Sequence, residues 1–262
     1  MRARHLFAGI HFFLFLSFLN CNTSFSQIVV VEDNQVERDS AGWQVIGNVD
    51  FYNTRNTSTV FSINAGTQIQ YKWHRSKIIS MNAFSAILNT SSENPDQENR
   101  GYQHIRYNYD INQTVVYEAF TQLQFDQVLR IQRRLLLGTG LRFNLLKDES
   151  EDDLSVGLTY MYEYEREKDT TAIHRDHRMS SYISAKKQFN ESIALSLISY
   201  YQPLFNEFSD YRISLGAGLN FKILNKLAFV IDVNLNYDAK PVVDEDIPDL
   251  TYSIRNGLSF KF

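Results

Sequence analysis

From Trp43 to Phe262 the chain alternates apolar and polar residues at every second position, the period of a β-strand with one apolar and one polar face. Trp43, Val45, Val49 and Phe51 share one face, while Gln44, Asn48 and Asp50 share the other. Phe61, Ile63, Ile69, Tyr71 and Trp73 oppose Asn64, Gln68, Gln70 and Lys72 in the same way. In "YRISLGAGLNFKILNKLAFVIDVNLNYD", residues 211–238, two strands alternate on either side of a tight Leu224-Asn225-Lys226 turn. There Ile213, Leu215, Leu219 and Phe221 oppose Arg212, Asn220 and Lys222, with Gly216 and Gly218 on the polar side. About a dozen segments emerge, starting near Trp43, Ser58, Lys77, Gly101, Thr114, Arg133, Asp153, His174, Ser192, Asp210, Lys226 and Leu250. Each is several residues longer than the roughly 5–6 residues usual for a soluble strand. The alternation weakens over 77–90 and 177–189, and no facing is assigned there.

Which face meets water separates two architectures. Two stacked sheets would bury the apolar faces against each other. A transmembrane barrel would turn them to lipid and line its interior with the polar set. No segment carries a helical pattern that would cover an apolar sheet face, which favours the barrel. Full closure also satisfies every backbone group in lipid.

The connections alternate as well. With the N-terminus in the periplasm, "NTSSENPDQENRG", "EREKDTTAIHRD", "PLFNEFSD" and "AKPVVDEDIPD" fall outside the cell, while "WHRSK", "YDINQT", "KKQFNES" and "KILNK" are mostly short periplasmic turns. "LLKDESEDD" is the longest of the second set. Long loops on one side and short turns on the other suit an outer-membrane barrel. Aromatic placement agrees: Trp43, Trp73, Phe189, Phe221 and Phe262 lie at expected periplasmic ends, and Tyr162, Tyr201, Tyr211, Tyr237 and Tyr252 at expected outer ends. Such rings suit the membrane–water boundary. A terminal Phe262 is also the kind of signal that outer-membrane assembly machinery recognises.

The first 26 residues read as a cleaved secretory signal: Arg2 and Arg4, the apolar run "LFAGIHFFLFLSFL", then small residues ending at Ser26. Cys21 offers a lipoprotein alternative, with Asn20 standing where a small residue is wanted. Residues 27–42 form a short periplasmic lead and 43–262 the barrel. Cys21 is the sole cysteine, so the mature chain holds no thiol for a disulfide or a Cys metal site. A net charge of -4 gives no nucleic-acid footprint. Aromatics at 14% with 4 prolines favour strands.

About 8 strands leave a barrel interior filled by side chains, and 16–18 leave a water channel, so about twelve lies between. The polar faces place Arg142, Arg212, Lys222, Arg255, Glu118, Glu163 and Asp232 in the lumen, where charges pair or line a wet path. Inward Gly66, Gly138, Gly140, Gly157, Gly216, Gly218 and Gly257 would leave room, or relieve curvature. The four cations would form a path for a small polar or anionic solute, balanced by the three carboxylates. A closed barrel supporting the envelope is the alternative.

Metal and catalytic signals are weak. "HRDHR" brings His174, Asp176 and His177 together, but Arg175 and Arg178 would repel a cation. Asp148, Glu149, Glu151, Asp152 and Asp153 lack the spacing and central Gly of an EF-hand, and Asp244, Glu245 and Asp246 read as a solvated acidic loop. No G-x-S-x-G elbow and no Ser–His pair with an orienting carboxylate occurs, so neither an enzyme nor a cofactor is expected.

"GYQHIRYNYD", "YEAFTQLQFD", "RRLLLGTGLRF", "YMYEYE", "HRDHRMSSY", "YYQPLFNEFSDYRIS" and "YSIRNGLSFKF" resemble the salt-induced outer-membrane protein family, a family of unknown function, over Trp43 to Phe262. That resemblance implies the outer membrane of a Gram-negative bacterium and carries no catalytic residues with it. The partners expected are outer-membrane lipid, the assembly machinery at Phe262 and a small polar solute.

Overall fold

Side chains alternate across a strand, so one turn direction decides which residues the sheet encloses. The computed structural model, which describes residues 41–55, 59–89, 96–147, 152–224, 227–241 and 248–260, shows twelve strands. They are β1 (Gly42–Arg55), β2 (Thr59–Trp73), β3 (Ser76–Asn89), β4 (Asp96–Asp110), β5 (Val115–Asp126), β6 (Ile131–Lys147), β7 (Asp153–Glu167), β8 (Ile173–Asn190), β9 (Ile193–Leu204), β10 (Glu207–Leu224), β11 (Leu227–Asp238) and β12 (Leu250–Phe260). Each pairs antiparallel with its chain neighbours in one up-and-down sheet, in the order β1 to β12. Among the described residues no ladder joins β12 to β1, so the seam of the barrel lies between the first and last strands.

The sheet curls with its polar face inward. Gln68, Gln70, Arg106, Glu118, Gln122, Arg134, Glu163, Arg178 and Ser214 are buried, whereas Leu123, Leu137, Leu158, Ile183 and Leu258 are exposed. That is the reverse of a soluble core, where an exposed apolar surface of this extent would be anomalous. The stacked-sheet alternative is therefore not what the chain adopts. Strands of 11 to 18 residues meet or exceed the ~9–11 that a tilted membrane crossing needs.

The weak alternation near residues 77–90 has a physical cause. Ile79 and Met81 of β3 turn inward onto Tyr102 of β4, while Ile78 and Phe84 face outward, so both faces are apolar. In β8 the inward Arg178, Ser180 and Tyr182 alternate with outward Met179, Ser181 and Ile183, and the small Ser181 blurs the outer face.

The connections are shorter than the sequence suggests. "PLFNEFSD" reduces to residues 205–206 because β9 runs on to Leu204 and β10 starts at Glu207. "EREKDTTAIHRD" reduces to 168–172, and "HRDHR" lies inside β8. Polar segments extend as ladders because backbone pairing continues beyond the apolar band, as in Glu167 N–H donating to Ala172 C=O at 3.3 Å. Residues 239–249 remain the longest connection, and Lys240 there meets the Glu207 carboxylate. Positive φ at His74 (45°), Arg130 (55°) and Asp169 (62°) marks three of the tight turns.

Candidate functional site: the ion-paired interior

Two polar clusters fill the middle of the barrel. The first is built on Glu163 of β7, which is completely buried. Its carboxylate accepts from Arg212 Nη1 at 2.8 and 2.9 Å and from Arg178 Nε at 3.1 Å, and Arg134 Nε lies 3.0 Å away. Arg134 also donates to Glu165 at 2.6 Å, Arg178 to Asp210 at 2.9 Å, and Arg212 Nε to Asp238 at 3.0 Å. Five strands, β6, β7, β8, β10 and β11, thus meet at one carboxylate and its arginines. Arg212 of β10 reaches β7 through the interior, a direct measure of how tightly the sheet curls.

The second cluster is built on Glu118 of β5. The Tyr182 hydroxyl of β8 donates to it at 2.6 Å, and Arg142 of β6 lies 3.5 Å away. Arg106 of β4 shares the same carboxylate as its charge partner. Beside it, His104 Nδ1 meets Gln122 Oε1 at 2.9 Å, and the His104 ring stacks on Phe120 at 5.4 Å. Between the clusters lies a cavity of ≈ 40 Å³. At ~10–15 Å³ for each water that is room for about three.

Of the expected lumen residues, the structure brings Arg212 to Glu163 and Arg142 to Glu118. Asp232 and Arg255 stand opposite each other in the β11–β12 register, away from both clusters. Lys222 is exposed at the end of β10, and Arg255 is exposed as well. The four cations therefore do not form one path: Arg212 meets Glu163, Glu165 and Asp238, Arg142 stands beside Glu118, and the other two sit elsewhere.

The inward glycines also serve differently from expectation. A Cβ at Gly138 would stand 2.2 Å from the Phe120 ring, one at Gly157 2.0 Å from the Tyr182 ring, and one at Gly66 2.7 Å from the Asn48 amide oxygen. Two of these glycines seat aromatic rings against the wall, so the space they vacate is filled. At Gly140 the added carbon would meet the Leu158 carbonyl at 2.2 Å, and at Gly257 it would meet nothing within 4 Å.

Arg134, Glu165, Arg178, Asp210, Asp238 and His104 escaped the sequence reading. Glu165 was accessible to it, two residues from Glu163 on the same face. Arg134 was not, because a register shift between Ile131 and Arg133 resets the alternation just before it, and the next inward position, Leu136, is apolar.

The described girdle aromatics fall toward the ends of their strands. Trp43, Tyr71, Trp73 and Tyr107 run in contact across β1, β2 and β4 at 4.6, 5.4 and 6.3 Å, near the end where β1 begins. Phe189 and Phe221 lie at that end too. Tyr201, Tyr211 and Tyr237 form a run at 5.8 Å spacings at the opposite end, and Tyr162 packs on His177 at 5.3 Å. Tyr252 is exposed there. Phe262, the signal segment 1–26, nearly all of the lead 27–42, Asp148, Glu149, Glu151, Asp244, Glu245 and Asp246 lie outside the described residues. Among the described residues no group of three or more His, Cys, Asp or Glu is placed to hold a metal.

A polar interior, an apolar exterior and twelve antiparallel strands define a membrane-spanning up-and-down β-barrel. Residues 37–260 match the family model described as "Protein of unknown function, DUF481", and the chain belongs to that family. No curated protein matches the sequence. Among solved structures, the NanC porin in a rhombohedral crystal form is similar at 12% identity and a TM-score of 0.46, over 82% of this chain and 100% of that one. The KdgM porin is similar at 13% identity and 0.44, over 83% and 99%. OccK11 (OpdR) of Pseudomonas aeruginosa is similar at 11% identity and 0.36, over 82% and 79%.

Proposed function

We propose that this protein resides in the outer membrane of a Gram-negative bacterium and provides a narrow passage for small polar solutes, without catalysis. The observation that carries the reading is the cavity enclosed by charges already neutralised in pairs. Buried ions line it, yet Arg106, Arg134, Arg142, Arg178 and Arg212 each face a carboxylate. Such a lining stays wet without attracting one sign of ion. It supports a preference for neutral solutes over the anions that the cationic faces first suggested. Lipid would contact the outward Leu, Ile and Phe side chains, and the assembly machinery would engage Phe262.

Proteoliposome swelling with urea, glycerol, erythritol and glucose tests this. Entry of the smallest solutes with a sharp cut-off by glucose is expected; equal rates with protein-free vesicles would refute it. The density of bonds around Glu163 favours a second reading, a closed barrel that supports the envelope under osmotic stress, in keeping with the resemblance to the salt-induced family. Under that reading no solute enters, and loss of the gene impairs growth in high salt.

A further inference from the structure

The hydrogen bonds around His104 determine which of its nitrogens carries the proton. Gln122 Nε2 donates to Gln124 Oε1 at 3.2 Å, which fixes the amide so that its oxygen faces His104 Nδ1 at 2.9 Å. An amide oxygen accepts, so Nδ1 is the protonated nitrogen and Nε2 presents a lone pair. His104 is only 3% exposed, lines the cavity, and its Nε2 has no partner among the described residues. Leaving a buried acceptor without a donor is unfavourable, so a donor placed in the cavity would complete the site.

The surroundings select the donor. An ammonium would lie against the guanidinium groups of Arg106, Arg134 and Arg212, and Glu118, the one carboxylate in the same lining, is already held by Tyr182, Arg106 and Arg142. An anion would bring a second lone pair to Nε2. A neutral hydroxyl satisfies the nitrogen without either conflict, and Phe120, Leu136 and Met161 offer its carbon skeleton an apolar wall.

We propose that this cavity is a binding subsite for a small neutral polyol, whose hydroxyl donates to His104 Nε2 while its carbons lie against Phe120. The proposal deepens the passage reading by naming the solute class. Gly138 acts as a positioning residue, since its missing side chain seats the Phe120 ring that stacks on His104.

The test uses the folded full barrel in detergent micelles with 15N-labelled histidine, titrated with glycerol. The His104 signals, assigned with His104→Asn, are expected to show the Nδ1–H tautomer at neutral pH. Its Nε2 resonance should shift saturably with glycerol, while those of His74, His174 and His177 stay put. In liposomes, His104→Leu is expected to lower the glycerol-to-urea flux ratio several-fold. A His104 resonance indifferent to glycerol, so that water alone fills the cavity, overturns the proposal. Glycerol flux without that response leaves the passage and removes the subsite; a saturable response without flux keeps the subsite and removes the passage.

Discussion

Glu163 anchors three arginines from three strands with a single carboxylate. Removing one member of a buried ion network strands the others, at ~3–5 kcal/mol. Glu163→Gln is therefore expected to destabilise the barrel by about that amount in reversible urea unfolding, whereas Lys222→Ala, at an exposed position, should stay within ~0.5 kcal/mol. Equal midpoints for the two variants would contradict the network's role. Steric seating is the second device at this scale. Gly138→Val drives a side chain into Phe120, and overpacking costs ~1–3 kcal/mol, whereas Gly257→Ala enters open space. The first is expected to unfold at lower urea and the second at the wild-type midpoint.

At the scale of strands, facing was readable from the sequence wherever one face was uniformly apolar. Phe61, Ile63 and Ile69 declared their side, and Gln68 and Gln70 are indeed buried opposite them. Facing was unreadable in β3, where Ile79 and Met81 make an apolar patch inside the barrel. Partners were unreadable for a different reason. Arg212 and Glu163 are 49 residues apart and meet through the interior, a contact that depends on curvature and register rather than on any local pattern. The two tryptophans give this scale a test. Trp43 and Trp73 are the only ones in the chain and lie at the same end. In bilayers, lipids brominated close to the headgroup should quench their fluorescence more than lipids brominated near the acyl terminus. The reverse ranking would place that end at the wrong depth. Among the described residues β1 and β12 each have one ladder partner, while β6 and β7 have two. Amides of β1 and β12 are expected to exchange faster, and equal protection would show that a ladder closes the seam.

For the molecule as a whole, the strand count and the direction in which the polar face turns decide what the interior can do. Twelve strands enclose more than a packed pencil of side chains and less than a porin's channel. The sequence conveyed that intermediate width and the charged character of the lining. It conveyed that carboxylates would balance the cations but not which would pair with which: Asp238 stands directly opposite Arg212 in the β10–β11 register, whereas Arg212 reaches Glu163 of β7 only because the sheet curls. On the function proposed, this ion-paired interior is an open but narrow and electrically neutral passage. Planar-bilayer recording of the refolded protein in a salt gradient measures it most directly. The expected result is a small, steady conductance with a reversal potential close to zero. Silence from protein shown to be folded and inserted, or strong selectivity for anions, would contradict the account.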